Sequence, residues 1–168
     1  MYRLLPLLAA LTLFGFGPLR AQPGSFSPVP GFDGCEGSNG VPHLDAVVNN
    51  VPRINRFFGL HVTNIPAPGG TLHFVLGFSD KTWLGLPLPV ALANAGLWNC
   101  TLWQSVDFVL PAFNPNPTTE QVYSFRLPND TNLIGLEFWV QALVEDFFQT
   151  LRPAGYSVSN SAKGVIGS

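Results

Sequence analysis

Charge is scarce in this chain. Asp, Glu, Lys and Arg make up 11% of its 168 residues, where an ordinary domain carries about 25%. An exposed surface must then rely on Ser, Thr, Asn, Gln and backbone, and weak mutual repulsion favours adhesion or assembly. Clustered basic residues are missing as well. Beyond residue 21, six basic residues face ten acidic ones, a net charge of −4. That balance argues against nucleic acid and against an anionic membrane surface as partners. Cysteine is limited to Cys35 and Cys100, neither in a CxxC pair nor beside a basic residue. Reactive or redox thiols are therefore poorly supported. No GxSxG, HExxH or SxxK pattern occurs, so no catalytic residue, cofactor or metal is expected from motifs. An uninterrupted apolar run of the roughly 20 residues needed to span a bilayer is also missing.

What is present divides into three parts. Residues 1–21 combine a short basic start, Met1-Tyr2-Arg3, with an apolar run over 4–19 broken by Pro6, Gly15, Gly17 and Pro18. With the small Ala21 at a plausible cleavage point, this is the layout of a secretory signal peptide. The expected location is extracellular or periplasmic. In an exported chain, two cysteines most simply form one disulfide. Closing a loop of that length stabilises by about 4 kcal/mol in the chain-entropy model. Residues 22–42 are crowded with Gly, Pro and Ser and read as an irregular arm. Residues 43–168 are long enough for one domain with a real core.

Within 43–168, short apolar runs alternate with turn signals such as PAPGG (66–70), NAGLWN (94–99) and FNPNPTT (113–119). That spacing predicts an all-β fold, an antiparallel β-sandwich of jelly-roll or immunoglobulin-like type. FFGLHVTNI (57–65) and TLHFVLGFS (71–79) flank PAPGG and read as a hairpin. Its core face would hold Phe58, Leu60, Val62, Leu72, Phe74, Leu76 and Phe78, with His61 and His73 as diagonal neighbours outside. LPNDTNLIGLEFWVQALVED (127–146) could be helix or strand. Its Ile, Phe, Trp and Val content and six alternating apolar positions from Ile134 to Val144 favour a strand. Glu137 and Trp139 then lie on the mixed outer face, with Glu145 and Asp146 as solvent-facing punctuation at the far end.

PLPVALANAGLWNC (87–100), RLPND..NLIGLEFWVQALVED (126–146) and SVSN (157–160) together resemble a recurrent, uncharacterised module of large secreted bacterial proteins. That module carries a Gly-x-x-Gly-Cys-like turn, an LPxDxxLxG junction, an aromatic strand ending in Gln-Ala, and a late Ser-Asn. Asn99 stands here where the module has Gly before Cys100. The resemblance spans about residues 31–167 and implies a β-sandwich, often at the C-terminus of longer exported chains. It brings no catalytic residue.

Candidate chemistry is thin. His61 and His73 on one face could begin a metal site with His43 or Asp80 as third ligand, but no HxH or HxxE spacing supports it, and two solvated histidines on a sheet surface are the favoured reading. Asp107, Glu120, Asp130, Glu137, Glu145 and Asp146 could form a glycosidase pair only through tertiary folding. The tryptophans are more informative. Trp83 and Trp98 lie in connecting loops, where an exposed indole could stack on a sugar ring. Trp103 reads as core. Asn99 and Asn129 head glycosylation sequons. The leading expectation is a secreted, non-catalytic module with a structural, adhesive or assembly role, partnered by glycan or extracellular protein. A carbohydrate-binding module and a hydrolase or metalloenzyme with an unrecognised site are the alternatives.

Overall fold

A computed structural model describes residues 21–66, 71–113, 118–148 and 155–168; the signal-like segment 1–20 and most of the PAPGG and FNPNPTT turns lie outside them. In chain order the strands are β1 (Ser25–Pro28), β2 (His43–Ala46), β3 (Phe57–Thr63), β4 (Thr71–Gly77), β5 (Thr82–Trp83) and β6 (Leu86–Pro87). There follow β7 (Val90–Ala91), β8 (Thr101–Leu102), β9 (Phe108–Phe113), β10 (Glu120–Arg126), β11 (Glu137–Glu145) and β12 (Tyr156–Val165). They form a five-stranded sheet in the order β1-β12-β11-β4-β9 and a three-stranded sheet in the order β10-β3-β2. Every pairing within them is antiparallel. The fold is all-β, an antiparallel sandwich. Among the described residues no helix is long and apolar enough to cross a membrane.

Alternation places the core. Phe58, Leu60 and Val62 from β3, Leu72 and Phe74 from β4, and Phe138, Val140, Ala142 and Val144 from β11 are all buried in one cluster. At its centre the Phe58 ring meets Phe125 of its own sheet at 5.8 Å, and Phe26 and Phe138 of the facing sheet at 5.1 and 6.3 Å. Edge-to-face contacts of this kind add to the area term that drives the sheets together. The 127–146 stretch resolves as a turn followed by a strand. Asp130 Oδ1 accepts from the Asn132 backbone N–H at 2.9 Å, so the acidic residue caps a short 3-10 turn, Thr131–Leu133, before β11 begins.

The expected hairpin of β3 and β4 does not form. The two strands belong to different sheets, so the partners are not those expected; the core-facing residues are, except Phe78, which follows the end of β4 and is 45% exposed. β3 lies between β2 and β10, and β4 between β11 and β9. His61 and His73 are thereby separated. His61 stands opposite Asp45 and Val122 on the three-stranded sheet, and His73 opposite Leu143 and Pro111 on the five-stranded one. The arm is also more ordered than its composition suggests, because β1 within 22–42 pairs with β12.

A further layer covers the outer face of the five-stranded sheet. Between β4 and β9 the chain makes an excursion, residues 78–107, that carries the small ribbons β5-β6 and β7-β8. It leaves and returns at one tight point, where a Cβ on Gly77 would collide with the Ser105 carbonyl. The Cys35–Cys100 disulfide forms and joins the arm to this excursion. Cys35, Leu97, Cys100 and Val158 make a second buried cluster, with Leu92, Leu143 and Tyr156 against it.

The strand beneath that cover is polar where it should face water. Gln141 is fully buried. Its Nε2 donates to the Thr101 and Ser159 carbonyls, each at 2.9 Å, and its Oε1 accepts from the Trp103 N–H at 3.3 Å. Ser161 Oγ donates to Gln104 Oε1 at 2.9 Å. A register shift in the β11-β12 pairing falls opposite Ala142, whose N–H is taken by Ser159 Oγ at 2.8 Å. A bulge reverses which side chains face which way. Val158 accordingly joins the outer cluster, while Asn160 turns toward β2 and exchanges two hydrogen bonds with the Leu44 backbone, at 2.8 and 3.0 Å.

Candidate functional site

The cover does not seal the sheet. A cleft of about 360 Å³ remains between them, floored by His73, Val75, Leu143 and Tyr156 and walled by Trp83, Leu92, Leu97 and Leu102. The local reasons are simple. Leu92–Ala95 forms one 3-10 turn that ends at Gly96 in the left-handed region, φ 78°, where glycine carries no Cβ penalty. That stop drops Leu97 against the disulfide, and Leu92 beside it. The walls are almost wholly carbon. Only His73 and Tyr156, with ring centroids 6.2 Å apart, bring polar atoms to the floor.

The tryptophans divide around this cleft. Trp83 is half-buried and lines it. Trp98 lies outside its walls and is 60% exposed, so the two do not build one platform. Trp103 is not core. It is half-buried, stacked on Phe32 at 4.6 Å with its Nε1 donating to the Asp33 carbonyl at 2.8 Å, and so helps to pin the arm. Trp139, expected on a half-polar open face, is buried, with Lys163 Nζ 5.0 Å from its ring centroid. Elsewhere on the excursion, Leu84 and Leu86 are 82% and 53% exposed.

The carboxylates are dispersed rather than paired. Asp107 accepts from the Phe78 N–H and from Ser105 Oγ. Glu120 meets His61 Nε2 at 3.1 Å, Glu137 meets Lys163 Nζ at 2.8 Å, and Glu145 accepts from the Thr71 N–H at 2.7 Å. Asp146 is not solvent-facing punctuation. It is fully buried and accepts from the Ser38 N–H at 2.6 Å and Ser38 Oγ at 2.8 Å, latching the arm to the end of β11. Among the described residues no three His, Cys, Asp or Glu side chains gather into a set that could hold a metal ion. Asn99 and Asn129 of the two sequons are both exposed.

Sequence reasoning missed the cleft because its walls come from β4, β11, β12 and the excursion at once. A weak signal existed in the buried-type residues Leu92, Leu97 and Leu102 inside a segment with no strand period. Compared with known proteins, the chain matches no family model, no curated protein and no solved structure.

Proposed function

We propose that this protein is an exported, non-catalytic β-sandwich module with an adhesive or assembly role, which seats an apolar side chain of an extracellular partner protein in the cleft beneath the excursion. The observation that carries the reading is the chemistry of that cleft. Carbon walls favour burial of an apolar group, and an open apolar cleft of this kind marks an interaction site. A sugar would bring hydroxyl groups that such walls leave unpaired, at a cost of roughly 1–3 kcal/mol each. The disulfide supports an oxidising compartment, and the resemblance to a secreted bacterial module points the same way.

A glycan-binding reading rests on one separate observation, the 60% exposed Trp98. An indole that open can serve as a stacking face. The two readings part on immobilised residues 22–168 offered proteins and polysaccharides from the exterior of the producing cell. Protein retention that is lost on Ala95→Trp, which fills the cleft from the 3-10 turn, and kept on Trp98→Ala is the expected result. Polysaccharide retention that Trp98→Ala abolishes and Ala95→Trp leaves intact would overturn it.

A further inference from the structure

The few basic residues are scattered in the chain, yet the fold gathers half of those beyond residue 21. Arg53, Arg56 and Arg126 line one polar recess of about 550 Å³, together with Asn55, Asn129 and Ser168. It shares no wall with the cleft beneath the excursion. The recess is built from three chain segments locked by main-chain bonds. Ile54 N–H donates to the Gly167 carbonyl at 3.0 Å, Asn55 N–H to that of Leu127 at 3.1 Å, and Leu127 N–H to that of Arg56 at 2.9 Å. Arg126 Nη2 donates to Asn55 Oδ1 at 2.6 Å, which fixes the direction of its guanidinium.

Among the described residues none of the three is paired with an Asp or Glu side chain. The ion pairs among the described residues join His61 to Glu120, Lys81 to Asp80 and Lys163 to Glu137. The neighbouring Asp130 spends its Oδ1 on the Asn132 N–H. No Asp or Glu side chain lines the recess, so three guanidinium groups concentrated there, in a chain with an acidic excess, leave a local positive field that an anion would relieve. Guanidinium forks match the paired oxygens of a carboxylate or a sulfate ester. A free inorganic anion would fill only part of the volume. The amide and hydroxyl groups of Asn129 and Ser168 remain to meet hydroxyl groups around the charge.

We infer that this recess binds a saccharide unit carrying an oxyanion, either a uronic carboxylate or a sulfate ester. Calorimetric titration of residues 22–168 tests it with a sulfated oligosaccharide, a uronic-acid oligosaccharide, a neutral oligosaccharide of equal length, inorganic sulfate and oligo-glutamate. At least one acidic saccharide binds, and its affinity falls as salt is raised because the pairing is screened. The neutral saccharide gives no heat. Combined Arg53→Gln and Arg56→Gln weakens binding by about tenfold or more, since each charge-assisted bond lost counts for that order. Arg56→Lys weakens it less than Arg56→Gln does, because the ammonium keeps the charge and loses the fork. Both positions are exposed, so an unchanged thermal midpoint shows the variants folded. Absence of heat with both acidic saccharides, or equal affinity in the double variant, overturns the inference. Inorganic sulfate or oligo-glutamate binding as tightly as the acidic saccharides overturns the saccharide assignment.

Discussion

The two faces of the five-stranded sheet are held by different physics. On the inner face Phe74, Phe138 and Val140 pack against Phe58 and its neighbours of the three-stranded sheet, all four nearly or fully buried, and the stabilising term scales with apolar area removed from water. On the outer face a shorter, aperiodic segment is fastened by one disulfide, a small cluster around Leu97 and Val158, and hydrogen bonds from Gln141, Gln104 and Ser161. The inner face makes the fold. The outer face leaves a cleft where the cover does not close on the sheet. Clefts at loosely covered sheet faces are a natural place for binding, since a fully packed interface has no room for a ligand.

The comparison can be broken from either side. Phe58→Ala should cost about 3–5 kcal/mol by leaving a cavity between the sheets, lowering the denaturation midpoint of the whole domain. Were that loss confined to the cover, the two-face description would fail. Next, reduction or Cys35→Ser should cost about 4 kcal/mol in the chain-entropy model. Amide exchange should quicken first at Leu92–Leu102 and in the arm, while β3 and β11 stay protected. Gln141→Leu should cost about 1–3 kcal/mol, because the Thr101 and Ser159 carbonyls and the Trp103 N–H lose their partner in a buried place. The readout is again a denaturation midpoint, and an unchanged value would show that the polar layer contributes little. Smallest of all, Trp98→Ala should shift stability by no more than about 0.5 kcal/mol, as an exposed residue does, while intrinsic fluorescence registers the loss of the indole.

Particular residues show how far reading the chain could go. The identity of the core face on β3, β4 and β11 was legible, because side chains alternate with a period of two whatever strand lies alongside. The cysteine pairing was legible for a simpler reason: two cysteines in an oxidising setting offer one intramolecular partner each. The partners of β3 were not legible. The connection from Asn64 to Gly70 can close a hairpin or cross to the facing sheet, and both arrangements satisfy the same alternation. Trp139 was misplaced for a related reason. Alternation assigns it a face, and whether that face meets water depends on an excursion that packs on it from another part of the chain.

Asp146 and the arginines make the same point for charge. Nothing near Asp146 in the chain announces that Ser38, more than a hundred residues earlier, will donate to it. Arg53 and Arg126 likewise meet only because β3 and β10 pair in one register, Phe57 against Arg126. Local order settled which segments extend and which side of each is greasy, since these follow from stereochemistry between near neighbours, and the count of two cysteines settled the one sulfur clamp. Sheet membership, the covered outer face, the cleft and the gathered guanidinium groups emerged only on folding, because each depends on contacts between residues distant in the chain.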